Sequence, residues 1–297
     1  MTGTRVWFVT GASRGLGRAF TEAALARGDS VVAVARTRLD LEPSERLLTL
    51  QADVTDRDAV FTAVDTAVRH FGRLDVVVNN AGFLAMGMLE EFSEAEARAQ
   101  MDTNFFGALW VSQAVLPVLR AQGSGHILQV SSIGALSGFA LSGMYSASKF
   151  AMEGMSEALA AEAAGFGVKV TIVEPGGYWT ELYTSGLAAT EPMDVYTPLR
   201  AELEKTFADG SVDSMPELAA EAVMKLVDSD NPPLRLLLGS MVYDLAFEVS
   251  QRKMATWAAW EETSRAAEHG VPMPSDYAVA SPADALTNAD LNLGRLP

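Results

Sequence analysis

The stretch "VTGASRGLGRAF", Val9–Phe20, decides how the whole chain is read. Its glycines suit a strand-turn-helix that cradles the pyrophosphate of a dinucleotide on the helix N-terminus, with Gly11, Gly15 and Gly17 giving the tight turn, the close approach and the close helix packing. Its inner residues, Gly11-Ala12-Ser13-Arg14-Gly15, also spell the G-x-S-x-G elbow of a serine hydrolase. The elbow makes Ser13 the nucleophile and needs an earlier loop for oxyanion donors, then an acid and a histidine downstream. Only ten residues precede Gly11, and His70, His126 and His269 fall on a helix surface, at a strand start and at a helix end. The phosphate reading is therefore preferred.

The 297 residues are 49% hydrophobic, enough for one sizeable core. The absence of cysteine rules out disulfides and thiolate chemistry and suits a reducing, cytoplasmic setting. A basic leader and a membrane-length apolar run are both missing, so no membrane partner is expected. A net charge of −16 argues against nucleic acid, whose backbone is bound by clustered Lys and Arg. No His, Cys or carboxylate spacing suggests a metal.

Apolar β-branched runs at 5–10, 30–35, 47–51, 74–79, 126–131, 168–174 and 234–238 alternate with segments of helical period. In 56–71, for example, Val60, Ala63, Val64, Ala67, Val68 and Phe71 share a face. Capping patterns at Thr55-x-x-Asp58, Ser93-x-x-Glu96 and Ser214-x-x-Glu217 open three helices. The pattern predicts an α/β chain with a doubly wound parallel sheet of about seven strands and helices on both faces. Residues 1–240 form the main domain, with an aperiodic lid at 176–212. Residues 241–297 add one helix, ended by Gly270 with Pro272 and Pro274, and a polar tail, packed on the same domain.

The end of the second strand selects the dinucleotide. A carboxylate there would bind the ribose hydroxyls of NAD, whereas arginine suits the 2′-phosphate of NADP. Arg36 stands at that point and Arg14 lies in the glycine turn, so NADP(H) is preferred, with NAD(H) still possible.

In order, "TGASRGLG" at 10–17, "DVTD" at 53–56, "NNAG" at 79–82, Asn104, Ser132, "YSASK" at 145–149 and "PGGYWT" at 175–180 resemble the short-chain dehydrogenase/reductase family, over the first 180 residues or so. The resemblance implies a Rossmann-type fold and hydride transfer between a nicotinamide cofactor and a carbonyl or alcohol. It makes Tyr145 the acid or base at the substrate oxygen and Ser132 its hydrogen-bonding partner. Lys149 lowers the Tyr145 pKa and holds the nicotinamide ribose, and Asn104 positions a water. The same resemblance gives cofactor contacts to Gly11, Ser13, Arg14, Gly15, Leu16, Gly17, Arg36, Asp53, Val54, Asn80, Ala81, Gly82, Pro175, Gly176 and Thr180.

The spacing itself is physically apt, because Tyr145 and Lys149 are one helical turn apart. Lowering a tyrosine from about 10 to near 7 takes roughly 4 kcal/mol, which Lys149 and the positive nicotinamide ring of the oxidised cofactor would supply together in a water-poor cleft. Apolar residues at Phe83, Leu84, Met86, Phe139, Leu141, Met144, Tyr178, Trp179, Leu182 and Tyr183 are candidates for the substrate side, which suits a bulky apolar carbonyl or alcohol. The family often pairs subunits through two long helices, here 93–120 and 145–164, which makes a homodimer or homotetramer the expectation. A non-catalytic NADP(H)-binding regulator is the alternative on the same fold.

Overall fold

The computed structural model describes residues 4–208, 213–268 and 270. The end of the lid at 209–212, His269 and the polar tail from 271 lie outside the described residues. In chain order the elements are β1 (Val6–Thr10), α1 (Gly15–Ala26), β2 (Ser30–Ala35), β3 (Leu47–Gln51), α2 (Arg57–Phe71), β4 (Val76–Asn79), β5 (Leu84–Met86), α3 (Glu94–Met101), α4 (Gly107–Gln122), β6 (Gly125–Val130), α5 (Gly143–Ala164), β7 (Val168–Pro175), β8 (Leu187–Ala189), α6 (Thr197–Ala208), α7 (Pro216–Val227), β9 (Arg235–Leu238), α8 (Ser240–Ala259) and α9 (Glu261–Ala266). Seven parallel strands form one sheet in the order β3-β2-β1-β4-β6-β7-β9, so the order reverses between β1 and β4.

Period-two alternation along each strand feeds two cores. Trp7 and Val9 of β1 face α1 and α7, where Phe20, Ala24, Ala220 and Val223 close the layer. Val6 and Phe8 face α2, α4 and α5, where Val64, Val115 and Leu159 do the same. On α2 the expected face is the buried one, with Val68 and Phe71 at its edge.

Several local expectations change. Ser93 caps α3 through the expected reciprocal pair with Glu96. The cap of α2, however, is Asp56, which accepts from Ala59 N, while the Thr55 hydroxyl turns back to Asp53. Helix α7 starts after Met215 with Pro216 in its first turn, so Ser214 does not cap it. Proline at that position removes a donor that has no intrahelical partner anyway. The expected long helix at 93–120 is two helices joined by a π turn at Asp102–Phe106. The C-terminal helix is interrupted at Trp260. One compact unit runs Met1–Ser250 and a second begins at Gln251, a division that falls inside α8.

The lid has more structure than its composition suggested. Its β8 pairs in parallel with β5, the strand that follows "NNAG". Beneath it, Glu91 gathers the Arg200 guanidinium, the Thr190 hydroxyl at 2.9 Å and the backbone amides of Met88 and Met193 at 2.7 and 2.9 Å. Arg200 above all holds the Glu91 carboxyl down at about 2. A carboxylate with a depressed pKa contributes stability above its unfolded value near 4.5, and that stability is lost as the pH falls towards 2. Glu91→Gln is therefore expected to free the lid at neutral pH. Limited trypsin digestion checks this, with faster cleavage after Arg200 and Lys205 in the variant and little change elsewhere.

Candidate active site

The glycine turn leaves β1 at the point where the sheet order reverses, the usual ligand position in open α/β sheets. Gly11 and Gly15 have φ of +65° and +54°, conformations that only glycine adopts without strain. At Gly17 a Cβ would lie 2.3 Å from the Gly11 carbonyl oxygen, so the helix can approach the turn only with glycine there. Helix α1 starts with no side-chain cap and no acid in its first turn, which leaves its amides for an anion. This is the observation that fits a dinucleotide pyrophosphate. Leu16 turns its side chain to the core, so only its backbone faces that position.

Two residues brace the turn from behind. The Thr10 hydroxyl accepts from the amides of Asn80 and Ala81 at 3.0 and 3.1 Å and donates to the Val78 carbonyl. Asn80 Nδ2 donates to the carbonyls of Thr10 and Gly11 at 3.1 and 3.2 Å. The Asn80 side chain is thus committed to the turn itself. From the other side Arg14 donates to the Ser185 hydroxyl of the lid, and a Cβ at Gly15 would lie 3.2 Å from Thr180 Cβ. Arg36 is exposed at the end of β2, and no side-chain partner is recorded for it among the described residues. Asp53 holds the Thr55 amide and hydroxyl, each at 2.9 Å, and Val54 is buried against Gly107.

Ser132 follows β6 and Tyr145 and Lys149 lie on the first turns of α5; all three are buried. The Ser132 hydroxyl lies near enough to the Tyr145 phenol to favour its ionisation, and Ser132 Oγ accepts from Gly134 N at 3.0 Å. Lys149 Nζ donates to the Val130 carbonyl at 2.8 Å and lies 5.7 Å from the Tyr145 ring centre. Burial pushes the Tyr145 phenol up to about 12, against the smaller opposing effect of the Ser132 hydroxyl. Burial brings the Lys149 ammonium down to about 8, opposed by the Glu153 carboxylate. In the chain alone, before the charge of an oxidised cofactor is added, desolvation of the phenol dominates.

Asn104 lies in the π turn, fully buried, where a solvent-facing polar residue was the plain alternative. Its amide bonds the Phe83 carbonyl and the Ser148 hydroxyl at 3.1 and 3.2 Å, and its Oδ1 accepts from Phe83 N. The π turn thus aims Asn104 at α5.

The candidate substrate residues separate. Tyr183 lies close enough to Tyr145 to influence its ionisation. Met144 adjoins Tyr145 and is partly exposed, as is Phe83, while Phe139 and Trp179 are exposed at 36% and 64%. Leu84 and Met86 form β5, and Leu182 is partly buried in the lid. Tyr178 instead belongs to the core under α1 and α7. Pro175 ends β7 and Gly176 follows it, its N–H donating to Leu238 O at 3.0 Å. Leu141 has φ +71°, held by its carbonyl accepting from Gly87 N at 2.8 Å, just before α5 begins.

For the elbow reading, Ser13 has no histidine partner among the described residues. His126 is buried at the far end of β6, bonded to Thr171 and pushed down to about 4, chiefly by burial, and His70 is exposed on α2.

A family model described as short chain dehydrogenase matches residues 5–190. The chain belongs to the short-chain dehydrogenase family. It is 41% identical over 273 residues to oxidoreductase BOA17 of Botryotinia fuckeliana, covering 89% of this chain and 99% of that one. A short-chain dehydrogenase from Streptomyces avermitilis has the same fold, with a TM-score of 0.82 at 36% identity over 89% of this chain and all of the other. A Burkholderia cenocepacia short-chain dehydrogenase, solved in complex with NADP, matches with a TM-score of 0.69 at 28% identity, covering 86% of this chain and 97% of that one.

Within this family member, sequence reading passed over Thr10, Gly134 and Ser148. Thr10 and Ser148 sat inside the quoted motifs, and their small hydroxyls are the usual braces of such turns. Gly134 carried no signal beyond being a glycine near Ser132; a Cβ there would lie 3.1 Å from the Tyr145 ring.

Lys149 yields a prediction. Its folded pKa near 8 lies below the unfolded 10.5, so the unfolded chain binds more protons in that window and the lysine's unfavourable contribution is relieved as pH rises through it. The stability of the native protein is expected to rise relative to that of Lys149→Met between pH 8 and 10.5. Urea unfolding across pH measures both.

Proposed function

We propose that this protein is an NADP(H)-dependent oxidoreductase that interconverts a bulky apolar carbonyl and its alcohol. What carries the reading is the shared burial of Ser132, Tyr145 and Lys149 where β6 meets α5, beside a glycine turn whose helix end is open to phosphate. The NADP bound by the Burkholderia cenocepacia relative supports the cofactor, as does Arg36 standing where a carboxylate would favour NAD.

When bound, the cofactor supplies or accepts the hydride at the substrate's carbonyl carbon. Gly11, Gly15 and Gly17 would hold its pyrophosphate, Arg36 its 2′-phosphate, and Lys149 its nicotinamide ribose. For reduction, Ser132 hydrogen-bonds the substrate oxygen and Tyr145 donates its phenolic proton there as negative charge develops. A phenol pushed up to about 12 is fully protonated at neutral pH, which favours the reductive direction. Oxidation asks the same phenol to give up its proton first, so it needs the additional positive charge of the oxidised cofactor. Phe83, Phe139, Met144 and Tyr183 would give the substrate apolar surface and offer no charge to fix a sugar or an acid.

Two variants test the reading. Tyr145→Phe should lower kcat for carbonyl reduction by about 100-fold to 10,000-fold while leaving NADPH binding, read by fluorescence, near native. An unchanged rate would remove Tyr145 as the acid, and tight NADPH binding with no turnover of any carbonyl in the native protein would favour the regulator. Arg36→Ala should weaken NADPH by about tenfold or more and leave NADH little changed, since a charge-assisted phosphate contact is worth roughly 1.5–3 kcal/mol. Competitive inhibition by the two oxidised cofactors measures it.

A further inference from the structure

Behind Lys149, on the side away from the substrate, lies a buried ionic cluster that the reaction as described does not use. Glu153 is one turn after Lys149 on α5 and only 5% exposed. Both of its oxygens are taken: Oε1 accepts from the Ser131 hydroxyl and Oε2 from the Arg235 guanidinium. Arg235 reaches in from β9, the edge strand, and is shared with Glu174 of β7 at 2.7 Å and with the more exposed Glu157 of α5 at 2.6 Å. Glu174 is fully buried, and its Oε2 is without a hydrogen-bond partner.

This arrangement is costly unless it does something. A buried carboxylate keeps its charge only when it is paired and fully hydrogen-bonded, and replacing such clusters with apolar residues is often neutral or stabilising. Of the two buried carboxylates competing for one guanidinium, Glu153 has both oxygens bonded and Glu174 has one. Burial, then Glu153, pushes the Glu174 carboxyl up, whereas Glu153 has a hydrogen bond on each oxygen. Glu153 stands one helical turn from Lys149, whose own hydrogen-bond acceptor is a neutral carbonyl.

We propose that Glu153, oriented by Arg235 and Ser131, is a positioning residue that keeps the buried Lys149 protonated at the pH where the enzyme works. It touches neither substrate nor cofactor and acts through Lys149. The inference rests on the reading above for what the charged lysine is for, but not for whether the charge is held. The groups facing the pair are Tyr145 and Glu157 on α5, Val130 and Ser131 at the end of β6, Glu174 on β7 and Arg235 on β9. Asn104 comes close only through Ser148. Glu153 is the anion that opposes the desolvation of Lys149.

The test is the titration of Lys149 itself, followed by NMR in cofactor-free protein carrying labelled lysine, with the resonance assigned by its absence in Lys149→Arg. The native midpoint should lie near 8. In Glu153→Gln it should fall by about one unit or more, roughly a tenfold loss in the tendency to hold the proton. Glu153→Asp, which keeps the charge, should stay closer to native. Glu153→Met removes the same charge with an apolar side chain of similar size and serves if the glutamine variant does not fold. A parallel fall in the alkaline limb of the NADPH-dependent rate is expected, with kcat near native at pH 6. An unmoved Lys149 midpoint in the charge-removing variants overturns the inference even if carbonyl reduction is intact. A native protein that reduces no carbonyl but shows the shifted midpoint overturns only the proposed reaction.

Discussion

The structure depends on placing an ammonium and a phenol out of water where β6 ends against α5. Lys149 and Tyr145 are both buried, and the hydrogen bond from Lys149 to the Val130 carbonyl ties the helix to the last residue of the strand. That bond fixes the helix's rotation, and hence the direction of Tyr145 one turn earlier, which brings the phenol to Ser132. The π turn at Asp102–Phe106 serves the same place by aiming Asn104 at Ser148, between Tyr145 and Lys149 on α5. Polar groups buried in such a network either satisfy each other or destabilise the fold, so the site and the sheet's stability are one problem.

The fold was legible wherever two cores imposed two periods. The strands at 30–35 and 47–51 begin and end as their β-branched alternation predicts, and the buried face of α2 is the one its spacing marks. The order of motifs led to the family because each motif performs a local task that few residue types can do. A glycine at 17 is required by a carbonyl 2.3 Å from where its Cβ would be, and such a requirement leaves a trace in sequence.

What was illegible depended on contacts between distant segments. Nothing near Glu91 announces that Arg200, Thr190 and Met193 will converge on it, and the β5–β8 pairing joins two three-residue strands too short for any pattern to show. Tyr178 was placed with the substrate because it is aromatic and follows the "PGG" turn, yet packing under α1 and α7 claims it. The Thr55 and Ser214 caps failed because neighbours, Asp56 and Pro216, suited the same helix ends better. The spacing of Tyr145 and Lys149 marks a shared helix face but not how deeply the phenol is buried, which in the chain alone raises its pKa.

The most direct measurement is an ultraviolet difference titration of tyrosinate in the cofactor-free protein against Tyr145→Phe. The account predicts no tyrosinate from Tyr145 at pH 9, with its ionisation appearing only towards about 12 or with unfolding. An ionisation step near pH 7 to 8 that disappears in Tyr145→Phe would mean the chain alone makes a phenolate, and would contradict a site governed by the burial of Tyr145 and Lys149.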